Sequence, residues 1–163
     1  MAFRLSPELA AQSQCTGATG IKLYANLSAD TVTKIAAEAH RQGMLVWTHA
    51  SVFPAKPSDA VAAGVTSMSH TPYLVWEAAP NVPVDYRVRA QGDFAHIAPD
   101  DARIVALLQQ MKTHGTILDA TVRVFSNPSP TMSAGITAWT YAVTRAAHQA
   151  GVLVDAGTDS GGM

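Results

Sequence analysis

The sequence predicts an α/β fold of about five parallel strands with intervening helices, and three observations predict it. Stretches with one apolar stripe at helical spacing alternate with short apolar runs. A glycine closes each helical stretch before the next run begins. The runs are short and continuously apolar, as strands covered on both faces are. Strands alternating with helices imply right-handed crossovers and a parallel sheet.

The elements follow in order. Ala18 to Tyr24 reads as an opening strand that contains Lys22. Thr31 to Gln42 carries Val32, Ile35, Ala36 and Ala39 on one face, with Ser28 as N-cap, Asp30 in the first turn and Gly43 at the far end. Met44 to Thr48 is the second strand, and His49 ends it. A shorter helix from Ser58 to Ala63 closes at Gly64, and the strand Val65 to Ser69 runs into His70. Pro99 opens the third helix, with Asp100 and Asp101 in its first turn and Ile104, Leu107, Leu108 and Met111 on one face. Gly115 leads into the strand Thr116 to Leu118. Ser133 caps a fourth helix whose face is Ile136, Trp139, Val143 and Ala147. Gly151 ends it, and Val152 to Val154 leads to Gly157-Thr158-Asp159. Two irregular segments follow strand C-termini: Thr71 to Ala98, and the shorter Asn127-Pro128-Ser129-Pro130.

Two closures fit this order, an open doubly wound sheet and part of a (β/α)8 barrel. A whole barrel takes about 250 residues, and this chain has 163. It stops at Gly161-Gly162-Met163 directly after a strand, so the expectation is one partial domain over residues 1–163, truncated at both ends. A formal charge of -1 offers no electrostatic footprint for nucleic acid or an anionic membrane. No apolar run approaches the roughly 20 residues of a membrane helix. The lone Cys15 excludes an intrachain disulfide and a cysteine-built zinc site.

Ionisable residues mark the candidate site. Lys22, His49, His70 and Asp159 each stand within or just beyond an apolar strand. Neighbouring parallel strands would gather the four at one rim, where burying them costs several kcal/mol unless a partner compensates. A divalent metal is the economical partner for two histidines and an aspartate. Tyr73, Trp76 and Tyr86 are candidates for a lid over an apolar side chain. Asp119 and Arg123 follow the fourth strand and are candidate substrate contacts, Arg123 for a substrate carboxylate. His40, His114 and His148 sit in last helical turns, where an imidazolium suits the helix dipole. His96 falls in the long loop and is expected in solvent.

The segments Gly17 to Tyr24, Glu38 to Gly43, Val46 to Ala50, Ala63 to His70 and Ala156 to Ser160, in this order, resemble the amidohydrolase superfamily. The nearest likeness is to imidazolonepropionase-related and Xaa-Pro dipeptidase-like enzymes. The resemblance runs from about residue 16 to 161 and implies a partial TIM barrel, roughly strands four to eight. It implies that Lys22 is the fourth-strand lysine, carboxylated to bridge two metals, and that His49 and His70 are the metal ligands of strands five and six. Asp159 would be the eighth-strand aspartate, a metal ligand and the catalytic base. The implied cofactor is one or two divalent ions, zinc above all, and the implied substrate is a small amide or peptide. The family's first-strand His-x-His pair has no counterpart, since no two histidines here stand two apart. The expected enzyme is therefore a longer parent, with the isolated piece inactive. The alternative is a non-catalytic binding or assembly module, partnered by a second copy or by a complementing N-terminal part.

Overall fold

The computed structural model describes residues 17–127 and 132–159. Cys15, Pro128 to Pro130, Ser160 and the closing Gly161-Gly162-Met163 lie outside them. Five strands form one parallel sheet in the order β1-β2-β3-β4-β5: β1 (Gly20–Leu23), β2 (Leu45–His49), β3 (Ser67–Ser69), β4 (Ile117–Asp119) and β5 (Val154–Asp155). Sequential neighbours throughout, alternating with helices, make a partial TIM-barrel-like arrangement. A doubly wound sheet would reverse its strand order partway.

The helices are α1 (Ala29–Arg41), α2 (Pro57–Ala62), α3 (Val75–Ala78), α4 (Ala102–His114), α5 (Val122–Phe125) and α6 (Ile136–Ala150). The stripes Val32/Ile35/Ala36/Ala39, Ile104/Leu107/Leu108/Met111 and Ile136/Trp139/Val143/Ala147 are all buried. They pack in one core with Val46, Met68 and Leu118 from the three central strands. Helix ends differ from expectation where local capping wins. The Ser28 side chain accepts the Thr31 amide as expected. α4 begins at Ala102 because the Asp101 carboxylate accepts the Arg103 amide, leaving Pro99 and Asp100 outside. α6 starts after Gly135, whose φ of 85° suits glycine, and Ser133 lies outside the helix. Among the described residues no helix is long and apolar enough to cross a membrane.

The opposite sheet face departs from expectation. β2 alternates, with Val46 and Thr48 buried but Leu45 and Trp47 about half exposed, at 48% and 56%. Leu153, just ahead of β5, is 68% exposed. Strand pairing aligns Lys22, Trp47, Ser67 and Ile117 in one row across this face. The next row, His49, Ser69, Asp119 and Asp155, lies two residues nearer the strand C-termini. In a closed barrel such rows fill the interior as layers.

The segment 71–98 is better built than a long loop. A 3-10 turn over Thr71–Leu74 continues into α3, and a second turn covers Tyr86–Val88. Trp76 packs edge-on against Phe53, 5.1 Å between centroids, and is 9% exposed. It belongs to the core and is no lid. Leu118→Ala should lower unfolding free energy by about 2–5 kcal/mol, whereas Leu153→Ser on the bare face should change it by less than about 0.5 kcal/mol. Urea denaturation of the two variants checks the contrast.

Candidate active site

At the C-terminal end of the sheet a cavity of about 200 Å³ is lined by Lys22, His49, His70, Asp159 and Tyr73. Tyr24, Tyr86, Arg89, Phe125 and Met132 complete most of its wall. The four residues singled out as strand-end ionisable groups thus meet at one place, from four different strands. His49 is the last residue of β2, and His70 directly follows β3. Asp159 stands four residues beyond β5. Lys22 starts one row lower, beside Trp47, and its long side chain spans the difference.

Each imidazole is held from behind. His49 Nδ1 lies 2.9 Å from Ser51 Oγ, and His70 Nδ1 lies 2.8 Å from Thr121 Oγ1. Tying Nδ1 leaves Nε2 to face the cavity, the orientation that hydroxyl or carbonyl partners impose on ligating histidines. The rings stand 4.2 Å apart by centroid, and His70 Nε2 lies 3.9 Å from Asp159 Oδ2. His49 Nε2 is engaged by the Tyr86 hydroxyl at 3.3 Å, and that hydroxyl donates to Tyr24 Oη at 2.9 Å. Ser51 Oγ can accept from or donate to Nδ1, so either neutral tautomer of His49 is supported.

Burial dominates the electrostatics. It pushes His49 down to about 2, helped by the charges of His70, Arg89 and Lys22. It pushes His70 down to about 4, against the opposing pull of Asp159 and Asp119. Both rings are neutral near pH 7. Tyr73 and Tyr86 are raised, again chiefly by burial, and stay protonated.

Backbone geometry is unusual at the same place. The non-glycine residues with positive φ among the described ones are Asn26, His70, Thr121 and Asp159. His70 and Asp159 line the cavity, and Thr121 holds His70. Asn26 accepts the Tyr86 amide through Oδ1 at 3.1 Å. Such conformations cost of order 1–3 kcal/mol each and persist where surrounding packing over-determines them.

The remaining sequence candidates are placed elsewhere. Asp119 ends β4 below the cavity: Ser69 Oγ donates to its Oδ2 at 3.0 Å, and its Oδ1 is buried without a hydrogen-bond partner. A Cβ on Gly157 would collide with that carboxylate, so only glycine lets the segment before Asp159 lie there. Arg123, in α5, lines a different cavity with Thr144 and Thr158. His96 is exposed and bonded to Asp93, 2.8 Å, as a solvent-facing loop residue. Tyr24 and Arg89 were not among the sequence candidates, whereas Tyr86, a lid candidate, does line the cavity. Their signals were strand alternation from Lys22 to Tyr24, and the i,i+3 spacing that brings Arg89 over Tyr86.

The donor chemistry suits a divalent ion, with two neutral imidazoles, one carboxylate and a lysine amine facing a single cavity. Among the described residues, however, no three His, Cys, Asp or Glu side chains form a ready cage.

No protein-family model and no curated protein matches the sequence. Among solved structures, the crystal structure of A. niger ochratoxinase is similar to 98% of this chain with a TM-score of 0.58. Sequence identity is 19%, and the chain spans 36% of that chain's length. The likeness is one of fold.

The depressed histidines make stability depend on acidity with a definite sign. Below the unfolded value of about 6.5, the unfolded chain takes up protons that the buried rings refuse. Stability is therefore full above that pH and falls as pH drops, until about 4 for His70 and about 2 for His49. Each ring contributes a slope of at most about 1.4 kcal/mol per pH unit. Urea midpoints measured from pH 7 to 5 in EDTA should fall accordingly, and a flat profile would contradict the buried neutral assignment.

Proposed function

We propose that this chain is a barrel segment of a metal-dependent hydrolase of the amidohydrolase type, cleaving a C–N bond of an amide or peptide. One observation carries the reading: Lys22, His49, His70 and Asp159 face one cavity from four strands of a TIM-like sheet. The fold shared with ochratoxinase supports it. The reaction is assigned to a longer parent, and two features favour this. The chain matches about a third of its structural neighbour, and the sheet face that a closed barrel would fill is bare at Leu45, Trp47 and Leu153.

In this reading His49 and His70 hold a divalent ion, zinc in the first instance, through Nε2, with Asp159 as carboxylate ligand. Lys22 Nζ, carboxylated by carbon dioxide with loss of a proton, would offer carbamate oxygens able to hold a second ion. When bound, such an ion supplies Lewis acidity that brings the pKa of water near neutrality. Ser51 and Thr121 keep the two rings in position by holding Nδ1. Asp159 takes the proton of the attacking water on Oδ2 as the water oxygen joins the carbonyl carbon. The same oxygen delivers that proton to the departing nitrogen as the C–N bond breaks. The Tyr86 hydroxyl stands 3.3 Å from His49 Nε2, so it must give way when the ring ligates through that atom.

A second reading, a non-catalytic module that completes a barrel with another chain, is favoured by the same bare face and by the outer edges of β1 and β5, which have no strand partner among the described residues.

The variants separate the two. In the parent enzyme, His49→Ala and His70→Ala should each abolish bound zinc and hydrolysis together. Asp159→Asn should lower kcat by about 10²–10⁴-fold while the protein stays folded. Lys22→Ala should lose the second ion, with partial rescue by short carboxylic acids. Zinc quantification alongside turnover of N-acyl amino acids checks each outcome. EDTA-insensitive hydrolysis would refute the metal mechanism.

A further inference from the structure

Tyr86 stands over His49 on a segment that the core hardly holds. The chain leaves the core after Ala78 and Ala79, both buried. It rejoins the core at Arg89, whose carbonyl oxygen accepts the Trp76 indole N–H at 2.8 Å. Ala90 follows, its carbonyl oxygen accepting the Ser133 amide at 3.3 Å. From Pro80 to Val88 no residue is buried. Of the valines in this stretch only Val82 packs on the core, and Val84 is exposed. Its turn closes on itself, the Val88 amide donating to the Asp85 carbonyl and the Arg89 amide to the Tyr86 carbonyl. A segment with so few apolar contacts opens at low free energy.

Tyr86 supplies the hold that the core does not. Its amide donates to Asn26 Oδ1 at 3.1 Å, and its hydroxyl donates to Tyr24 Oη at 2.9 Å. Its ring meets the Tyr24 ring at 4.9 Å and the His49 ring at 5.2 Å between centroids. The Arg89 guanidinium, at the segment's far end, lies 3.9 Å over the same ring. The hydroxyl also stands 3.3 Å from His49 Nε2. Zinc bonded to a histidine nitrogen sits at about 2.0–2.1 Å, so hydroxyl and ion compete for the space in front of that atom. The contact that fastens the segment is thus the one that ligation must break.

We propose that Pro80 to Val88 is a strap that gates the strand-end cavity, latched across it by Tyr86 and released when a divalent ion takes His49 Nε2. The gate rests on the metal-hydrolase reading and adds a regulation to it: the released strap uncovers the cavity for substrate. Coupling of this kind is reciprocal. Whatever loosens the strap tightens the ion, and the ion loosens the strap.

Hydrogen exchange on the full 163-residue chain reads the latch without metal. In EDTA, Tyr86→Phe keeps the ring and removes the hydroxyl. It should speed exchange of the amides from Asn81 to Val88 about fivefold, the effect of one ordinary hydrogen bond, and leave α4 unchanged. Asn26→Gly frees the Tyr86 amide and tolerates the positive φ at that position, and should do the same. Zinc should speed exchange of these amides in the unaltered chain. Both variants should bind zinc about fivefold more tightly, read by competition with a chelating dye. Asn26 acts on the Tyr86 backbone and not on an imidazole, so its effect on zinc separates a gate from mere crowding by the hydroxyl. Strap exchange that both variants leave unchanged in EDTA, or that bound zinc fails to speed, would overturn the gate while the metal reading stands. Zinc that binds neither the unaltered chain nor the variants would strike the metal reading and the gate with it. The Asn26 variant keeps the test decisive if Tyr86→Phe does not fold.

Discussion

Alternation along parallel strands in fixed register decides which side chains meet. Once Trp47 pairs with Ser67 and Ser67 with Ile117, the row two residues on must bring His49, Ser69 and Asp119 together. A slip of one residue would turn His49 and Asp119 toward the helices and bring Val46 and Leu118 into the bare face. Burial of Val46, Met68 and Leu118 against α1, α2, α4 and α6 is therefore what fixes the site. The apolar face of the sheet sets the register, and the register places the imidazoles on the other face.

That placement has a cost which the surroundings offset. Two imidazoles are buried with depressed proton affinity, and two cavity residues, His70 and Asp159, sit in the left-handed region. Ser51 and Thr121 supply the compensating hydrogen bonds, the latter itself in a left-handed conformation. Asp119 supports the arrangement from below: its backbone carbonyl oxygen accepts the His70 amide N–H at 2.9 Å, and its carboxylate lies under Gly157. Strain, burial and converging polar groups coincide at one rim, as they do where geometry is held for chemistry.

The fold was legible to the extent that local pattern sets it. The stripes of α1, α4 and α6 are period-3.6 signals, and their buried faces match residue for residue. His49, His70 and Asp159 were legible because an ionisable group at an apolar strand end stands out. What could not be read depends on contacts between distant residues. Leu45 and Trp47 belong to an apolar run that a two-sided burial would also produce, and only the missing cover on one face exposes them. Trp76 looked like a lid because loop aromatics carry no periodicity, yet it packs on Phe53. The place of Arg89 at the cavity rim depends on Tyr86 meeting Tyr24 across 62 positions of sequence, a contact no local pattern encodes. Arg123 and Arg89 are both cations in segments after strands, and only the turn of the chain decides which faces the cavity.

The central proposal is spatial: a metal ion would lodge where the two imidazoles and Asp159 converge. Anomalous diffraction at the zinc edge from crystals grown with zinc measures it directly. The account predicts a peak within bonding distance of His49 Nε2 and His70 Nε2, with the Tyr86 hydroxyl displaced from His49. A zinc peak bound only at the exposed His96–Asp93 pair or another surface histidine, with the Tyr86–His49 hydrogen bond intact, would contradict it.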